Sequence, residues 1–361
     1  MSVRGTSSRA TIRRGVCAGA LVAAATVVAG VIATDAVELP LRDPDHVAAL
    51  YLGLVGLGVA LLVVLDVVLR ARARSAGRWP SRATMAAVRQ ERWTPARAVG
   101  AGVALISFYA TYMAYRNLKS VVPLLRPDVN FDQELADADR ALFAGHDPAA
   151  VLHALLGSGI APHVISAFYV AFIVFLPLTI GLALVFSTDL RPALFYVTAQ
   201  SINWVLGIAS YFLLPSLGPV YFDPGVFAGL PASEVTRLQE VLMDQRVAFL
   251  ADPASATPQS IAAFASLHIS MSFAAIGAAH LLGAGRRLRT ALWIWFGVTF
   301  VGTVYLGWHY VVDDLAGVVM GAMALALAYV FTGIDLRGAR TARSTAPAWD
   351  GHPASSPAGS N

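Results

Sequence analysis

Apolar residues run along this chain in long unbroken stretches separated by shorter polar ones. Eight stretches stand out, at about 15–34, 47–69, 98–115, 161–186, 193–214, 262–283, 290–307 and 311–333. Each is close to the roughly 20 residues an α-helix needs to cross about 30 Å of hydrocarbon. Such stretches cross as helices, because a helix satisfies every backbone N–H and C=O internally where no water can. The pattern predicts an all-α, polytopic membrane helical bundle of about eight transmembrane helices. The third and seventh stretches are the shortest, and no internal repeat is visible.

Composition excludes a soluble domain. The chain has 361 residues, 57% of them hydrophobic and 13% charged, and its mean hydropathy is +0.63. A soluble domain carries about a quarter charged residues. The net charge is +4, which in a soluble protein would suggest nucleic acid. Here the basic residues gather in a few loops, so topology explains them and no nucleic-acid partner is expected.

Those loops set the orientation. Arg4, Arg9, Arg13 and Arg14 precede the first stretch, and eight arginines from Arg70 to Arg97 follow the second, against one acid, Glu91. Arg191 follows the fourth, Arg286, Arg287 and Arg289 follow the sixth, and Arg337, Arg340 and Arg343 follow the eighth. These are alternate sides of an eight-span chain. The opposite side is acidic or mixed, with Asp35, Glu38, Asp43 and Asp45 after the first stretch and Asp128, Asp132, Glu134, Asp137 and Asp139 after the third. Because basic loops stay in the cytoplasm, both termini are expected there. The expected setting is the plasma membrane, multi-pass, with membrane lipids as neighbours. Two long loops, 119–160 and 215–261, then lie on the extracytoplasmic face, where functional loops on a rigid scaffold are to be looked for.

Three regions are expected. Residues 1–97 form a two-span N-terminal extension with a basic cytoplasmic loop, 98–335 a membrane domain that carries the chemistry, and 336–361 a disordered tail rich in Ala, Ser, Pro and Gly. Segment 81–92 reads as a short interfacial helix. An alternative for the first span is a cleaved leader. The single cysteine, Cys17, can build neither an internal disulfide nor a thiolate metal site. It is expected to be a small buried hydrophobe.

Ionisable groups at membrane depth are costly and point to function. His309 and Asp313 sit four apart in Gly307-Trp308-His309-Tyr310-Val311-Val312-Asp313-Asp314, between the seventh and eighth spans. At that spacing they share a helical face or meet across a tight turn. A carboxylate on one imidazole nitrogen fixes the tautomer and makes the other more basic. That suits a nucleophile or general base, and equally a structural pair at a helical hairpin. Asp314 is one step off the face and is the less favoured partner. His268 begins the sixth span; by itself it reads first as an interfacial histidine. Lys119 and Arg126-Pro127 follow the third span, on the side where topology does not favour cations, so they call for an anion. The planar guanidinium fork of Arg126 suits phosphate. Topology brings all these groups to one depth on one face. Phosphoryl transfer needs this inventory: donors on the equatorial oxygens, an in-line nucleophile and an acid for the leaving oxygen.

In this combination the residues resemble the type-2 phosphatidic acid phosphatase and haloperoxidase superfamily, which shows Lys-x6-Arg-Pro, Pro-Ser-Gly-His and Ser-Arg-x5-His-x3-Asp in that order. Lys119, Arg126 and Pro127 match the first block in full. Ser266 and His268 match the second in part, with Ala265 for Pro and Leu267 for Gly. His309 and Asp313 match the third, whose Ser-Arg pair is replaced by Gly302 and Thr303. The Ser-Leu-His variant, the His-Tyr-x2-Asp-x3-Gly spacing, Leu214–Tyr221 and Asp139–Gly145 look like the branch of inositolphosphorylceramide synthases and related bacterial proteins. The resemblance covers about 100–335.

The resemblance implies a membrane phosphotransferase of the inositolphosphotransferase-like type acting on a lipid phosphate or polyprenyl phosphate. Its acceptor would be an alcohol such as a polyol headgroup. His309 would attack phosphorus and become a phosphohistidine, with Asp313 orienting it. His268 would protonate the leaving alkoxide and then activate the acceptor. Lys119, Arg126 and Ser266 would hold the phosphate oxygens. No metal and no cofactor is required. The missing Arg at Thr303 leaves one phosphate contact open. Arg246 is a candidate replacement, although by itself it reads as a solvated loop charge. Two alternatives stand: a lipid phosphate or polyprenyl diphosphate phosphatase with water as acceptor, and a transporter or scaffold without catalysis, against which intact His268, His309 and Asp313 argue.

Overall fold

The structure, a computed structural model, describes residues 3–43 and 50–344. Among them the chain is helical throughout: α1 (Val3–Asp35), α2 (Leu52–Arg74), α3 (Arg82–Arg92), α4 (Pro95–Leu125), α5 (Asp132–Leu142), α6 (Pro148–Leu156), α7 (Ala161–Phe186), α8 (Leu190–Leu213), α9 (Pro219–Phe222), α10 (Glu234–Ala251), α11 (Leu267–Leu281), α12 (Arg286–Tyr305), α13 (Val311–Thr332) and α14 (Leu336–Ser344).

All eight expected spans are helices. Six of them, α1, α2, α4, α7, α12 and α13, are long and apolar enough to cross a membrane, as a multi-pass membrane protein requires. The other two, α8 and α11, are central. Helix α8 packs against α1, α4, α11 and α13, and buries Thr198, Gln200, Ser201 and Asn203. Its polar residues lower its hydropathy, and the two amides are satisfied inside the bundle. Gln200 donates to the Met271 carbonyl at 3.1 Å, Asn203 donates to Gln200 at 3.0 Å, and Ser270 donates to Asn203. Peripheral α2 and α7 do the opposite and expose Leu54, Leu57, Leu61, Ile173 and Val174. A face that meets lipid must be apolar, whereas a face that meets protein need only be satisfied.

Helices α11 and α13 approach closely because α13 carries Gly317 and Gly321. A Cβ at these positions would lie 2.6 Å from the Ser266 carbonyl oxygen and 2.5 Å from that of Ser270. Any side chain there must push the two helices apart, and with them their starting residues.

The chain has two dissimilar ends. At the end where α1 begins, arginines cap the last carbonyls of helices, which lack intrahelical partners. Arg14 donates to the carbonyls of Val330 and Phe331 at 2.7 and 3.0 Å, and Arg340 to that of Leu281 at 2.7 Å. Arg92 and Arg97 donate to the carbonyls of Val185 and Ser187 at the end of α7. Buried Asp66 pairs with Arg70 at 2.7 Å and Arg92 at 2.9 Å. Helix α3 forms where the interfacial helix is expected, with Ser81 as N-cap, and its Val88 packs on Val67 and Ala71 of α2.

At the opposite end, α5, α6 and α10 form a helical cap where the sequence suggests long loops. Asp132 accepts the N–H groups of Leu217 and Gly218 at 2.8 and 2.9 Å and the Tyr310 hydroxyl at 3.1 Å. Asp139 accepts from Val311 and Val312 at 2.8 and 3.0 Å, capping α13.

Several expectations change. The third span is 31 residues long, not short, so Lys119 lies inside α4 and only Arg126 follows it. Cys17 is exposed rather than buried, because α1 turns it away from α4 and α8. The tail expected to be disordered from 336 begins as α14 through Ser344; residues 345–361 lie outside the described ones.

Candidate active site

Helix α12 ends at Tyr305 and α13 starts at Val311, leaving a five-residue corner that holds His309. The corner turns at Gly307, whose φ is +74° and where a Cβ would fall 2.6 Å from the Phe227 ring. Both constraints demand glycine. Asp313, three residues past the N-cap Tyr310, accepts the Tyr310 N–H at 3.0 Å through Oδ2. The same oxygen lies 3.4 Å from His309 Nδ1. One helix-cap contact therefore positions the carboxylate behind the imidazole. The separation is long for a hydrogen bond. His309 and Asp313 are both buried.

His268 comes from α11. Ser266 caps that helix, its Oγ accepting the Ile269 N–H, while its own N–H donates to the Asp313 carbonyl at 3.1 Å. This contact ties the starts of α11 and α13 together. The His268 and His309 rings lie 5.8 Å apart, centroid to centroid. Behind His268 stands an aromatic wall: Tyr169 at 4.6 Å, Phe172 at 4.5 Å, and Trp308 stacked on Tyr169 at 5.3 Å.

The two first-block cations diverge. Lys119 Nζ lies over the Tyr211 ring at 4.9 Å and the Tyr115 ring at 5.8 Å, and its charge reaches His309. Arg126 Nη1 donates to the Phe212 carbonyl at 2.7 Å, and the rest of the side chain lines a cavity of about 420 Å³ together with Arg246. Arg246 is not a solvated loop charge: it is half-buried and donates to buried Gln259 at 3.3 Å. No carboxylate lies within salt-bridge distance of Lys119, Arg126 or Arg246 among the described residues.

Asp314 is fully buried and accepts the Thr303 hydroxyl at 2.7 Å; the Ser266 side chain also lies against it. Thr303 thus occupies the third-block arginine position and makes a local contact instead of reaching a substrate. Burial pushes the His309 imidazole down to about 3, with the Lys119 charge adding to the effect and the Ala263 carbonyl opposing it. His309 is therefore neutral near pH 7 and retains a lone pair. No three His, Cys, Asp or Glu side chains converge on a metal-sized site among the described residues.

Two imidazoles face each other, one backed by a carboxylate, at the end of a membrane bundle. The chain matches the PAP2 superfamily over residues 133–327, more than half its length. The chain belongs to the PAP2 superfamily. Membership makes it a membrane enzyme of the phosphatase or phosphotransferase type. The PAP2 match contains Ser266, His268, His309 and Asp313 and begins after Lys119 and Arg126. No curated protein and no solved structure matches the chain.

Sequence reasoning did not find Tyr169, Phe172 or Gln259 as neighbours of this PAP2 site, nor the contact of Asp314 with Thr303. Trp308 carried a signal in its position next to His309. The others meet the site only through helix packing.

Proposed function

We propose that the protein is an inositolphosphotransferase-like membrane phosphotransferase that acts on a lipid-linked phosphate at the extracytoplasmic face, with 98–335 as its catalytic domain. The observation that carries this reading is the facing pair His268 and His309, 5.8 Å apart, with Asp313 behind only His309. The asymmetry divides the labour. With Nδ1 turned to Asp313, the other ring nitrogen of His309 is the nucleophile. It attacks phosphorus, the P–O bond to the leaving group breaks, and His268, entering as the imidazolium that the bound phosphate anion stabilises, gives its proton to the departing alkoxide. Asp313 stabilises the positive charge that develops on His309. His268 then takes the proton of an incoming alcohol, whose oxygen attacks the phosphohistidine and releases His309 neutral. Lys119 offsets the charge on the phosphoryl oxygens, and Ser266, together with the N–H groups at the start of α11, accommodates them. The aromatic wall of Tyr169, Phe172 and Trp308 limits access of water, which favours an alcohol acceptor such as a polyol over hydrolysis.

The test uses purified full-length protein in lipid nanodiscs with a ³²P-labelled lipid phosphate. Acid-labile, base-stable label on the wild type and none on His309→Ala is the expected result. Unimpaired turnover by His309→Ala would refute the mechanism. Release of free phosphate even with a polyol present would assign the phosphatase alternative.

A further inference from the structure

The N-terminal extension lies outside residues 133–327, yet one of its side chains reaches the histidine-bearing end of the bundle. Helix α1 packs along α4 and stops at Asp35, and the chain that follows lays Arg42 against α4. The Arg42 N–H donates to Asn117 Oδ1 at 2.9 Å, and its carbonyl accepts from Asn117 Nδ2 at 2.9 Å. A side-chain amide carries the same donor and acceptor as a peptide group, so it pins the Arg42 backbone twice. Asn117 is buried and stands two residues before Lys119.

The Arg42 side chain then leaves α4. Its guanidinium donates to the carbonyls of Ala256 at 2.7 Å, Pro253 at 2.8 Å and Ala254. All three belong to the irregular loop between α10 and α11, where no helix satisfies them. Gathering three carbonyls suits the planar guanidinium fork; a lysine ammonium is a single point.

The same loop runs on into the site. Gln259 is fully buried, and its Nε2 donates to the Lys119 carbonyl at 2.9 Å. Ser260 accepts from Arg116 of α4 at 2.7 Å. Ala263, whose N–H donates to the Ser216 carbonyl at 3.0 Å, presents its own carbonyl to His309. The loop ends at Ser266, the cap of the helix that bears His268. A closed ring results. Asn117 holds the Arg42 backbone, Arg42 holds the loop, and the loop returns through Gln259 to the backbone of Lys119.

We infer that Arg42 is a positioning residue of the active site. By closing this ring it clamps the α10–α11 loop onto α4 and fixes Lys119 where its ammonium meets the phosphoryl group. The inference rests on the phosphoryl-transfer reading, in which Lys119 offsets the charge on the phosphoryl oxygens. Arg42 touches no substrate and acts through Gln259 and Lys119. Lys119 holds the phosphoryl group before and during transfer alike, so loosening it weakens binding of the donor more than it slows the attack by His309. The N-terminal extension is thereby a working part of the site.

The test uses full-length protein in nanodiscs: wild type, Arg42→Ala, Arg42→Lys, Lys119→Met and the Arg42→Ala/Lys119→Met double variant. Turnover of a lipid phosphate is referred to active centres, counted by the acid-labile label. Arg42→Ala is expected to raise KM by about tenfold and to keep kcat per centre within about threefold. Arg42→Lys, which keeps the charge without the fork, should raise KM by about threefold. A merely structural role would lower the number of centres and leave KM alone, and that result in both variants overturns the inference. Should Arg42→Ala fail to fold, Arg42→Lys decides by the same criterion. Equilibrium binding of the ³²P-labelled lipid phosphate to these variants, each also carrying His309→Gln, reads the coupling without turnover. Arg42→Ala should weaken binding about tenfold with Lys119 present and less than about twofold with Lys119→Met in place. Equal weakening in both backgrounds also overturns the inference. Failure of the underlying reading is distinct, because it shows as undiminished turnover in His309→Ala.

Discussion

The two ends of the bundle use charge in opposite ways. At the arginine-rich end, cations terminate on protein: Arg14, Arg92, Arg97 and Arg340 on helix-end carbonyls, Arg70 and Arg92 also on Asp66. At the histidine-bearing end, the carboxylates terminate on protein instead. Asp132 and Asp139 hold backbone N–H groups, Asp313 holds Tyr310 and His309, and Asp314 holds Thr303. Lys119, Arg126 and Arg246 are thus left with carbonyl, amide and ring partners and no carboxylate among the described residues. Cations whose counter-charge is absent from the protein mark where an anionic ligand is expected; cations already satisfied mark architecture.

This contrast can be broken experimentally. The largest effect belongs to His309→Gln, expected to lower turnover by about 10⁴-fold or more while the protein still folds, as read by single-turnover kinetics and thermal melts. Asp313→Asn follows, with a loss of about 10³-fold in kcat, because the amide holds the wrong tautomer and cannot offset the developing charge. At the other end, Arg92→Ala leaves buried Asp66 with only Arg70 and strips the Val185 and Ser187 carbonyls of a donor. It should cost about 3 kcal/mol of stability and leave kcat per folded molecule unchanged; a loss of kcat would show that the two ends are coupled. Thr303→Val should cost about 1–3 kcal/mol, since buried Asp314 loses its hydroxyl donor. Its effect on KM for a lipid phosphate should stay small, because Thr303 touches Asp314 rather than substrate.

The smallest effect concerns pH. His309 sits at about 3 in the fold and near 6.5 when unfolded. The unfolded chain therefore binds the extra proton first, so the stability from burying neutral His309 is complete above about pH 6.5 and declines as pH falls toward 3. Melting temperature should drop less steeply with acid over that window in His309→Gln than in the wild type. Equal slopes would mean that the imidazole is already charged in the fold.

Much of the fold was legible beforehand because lipid enforces a simple rule: a helix facing hydrocarbon must be apolar for about 20 residues. That rule located the spans, and the basic loops between them grouped their ends. Helix α8 shows its limit, since Gln200 and Asn203 hide inside the bundle and no periodicity reports their partners. Within the site, His309 and Asp313 were readable because they stand four residues apart across a tight turn, and a local spacing has a local geometry.

Other parts required contacts between distant segments. Arg246 and Gln259 lie in one cap segment, and Lys119 in α4 and Arg126 just after it more than a hundred residues earlier, and nothing in either stretch announces the other. Asp314 is off the face of His309, and its own partner, Thr303, meets it across the helical corner only through packing. By itself, then, the sequence determined the apolar spans, the grouping of charge and the local His–Asp pair, because each follows from hydrophobicity or from helical spacing. The tertiary structure alone decided which cations are satisfied by protein and which are left for a ligand, because that depends on what packing brings within hydrogen-bond reach.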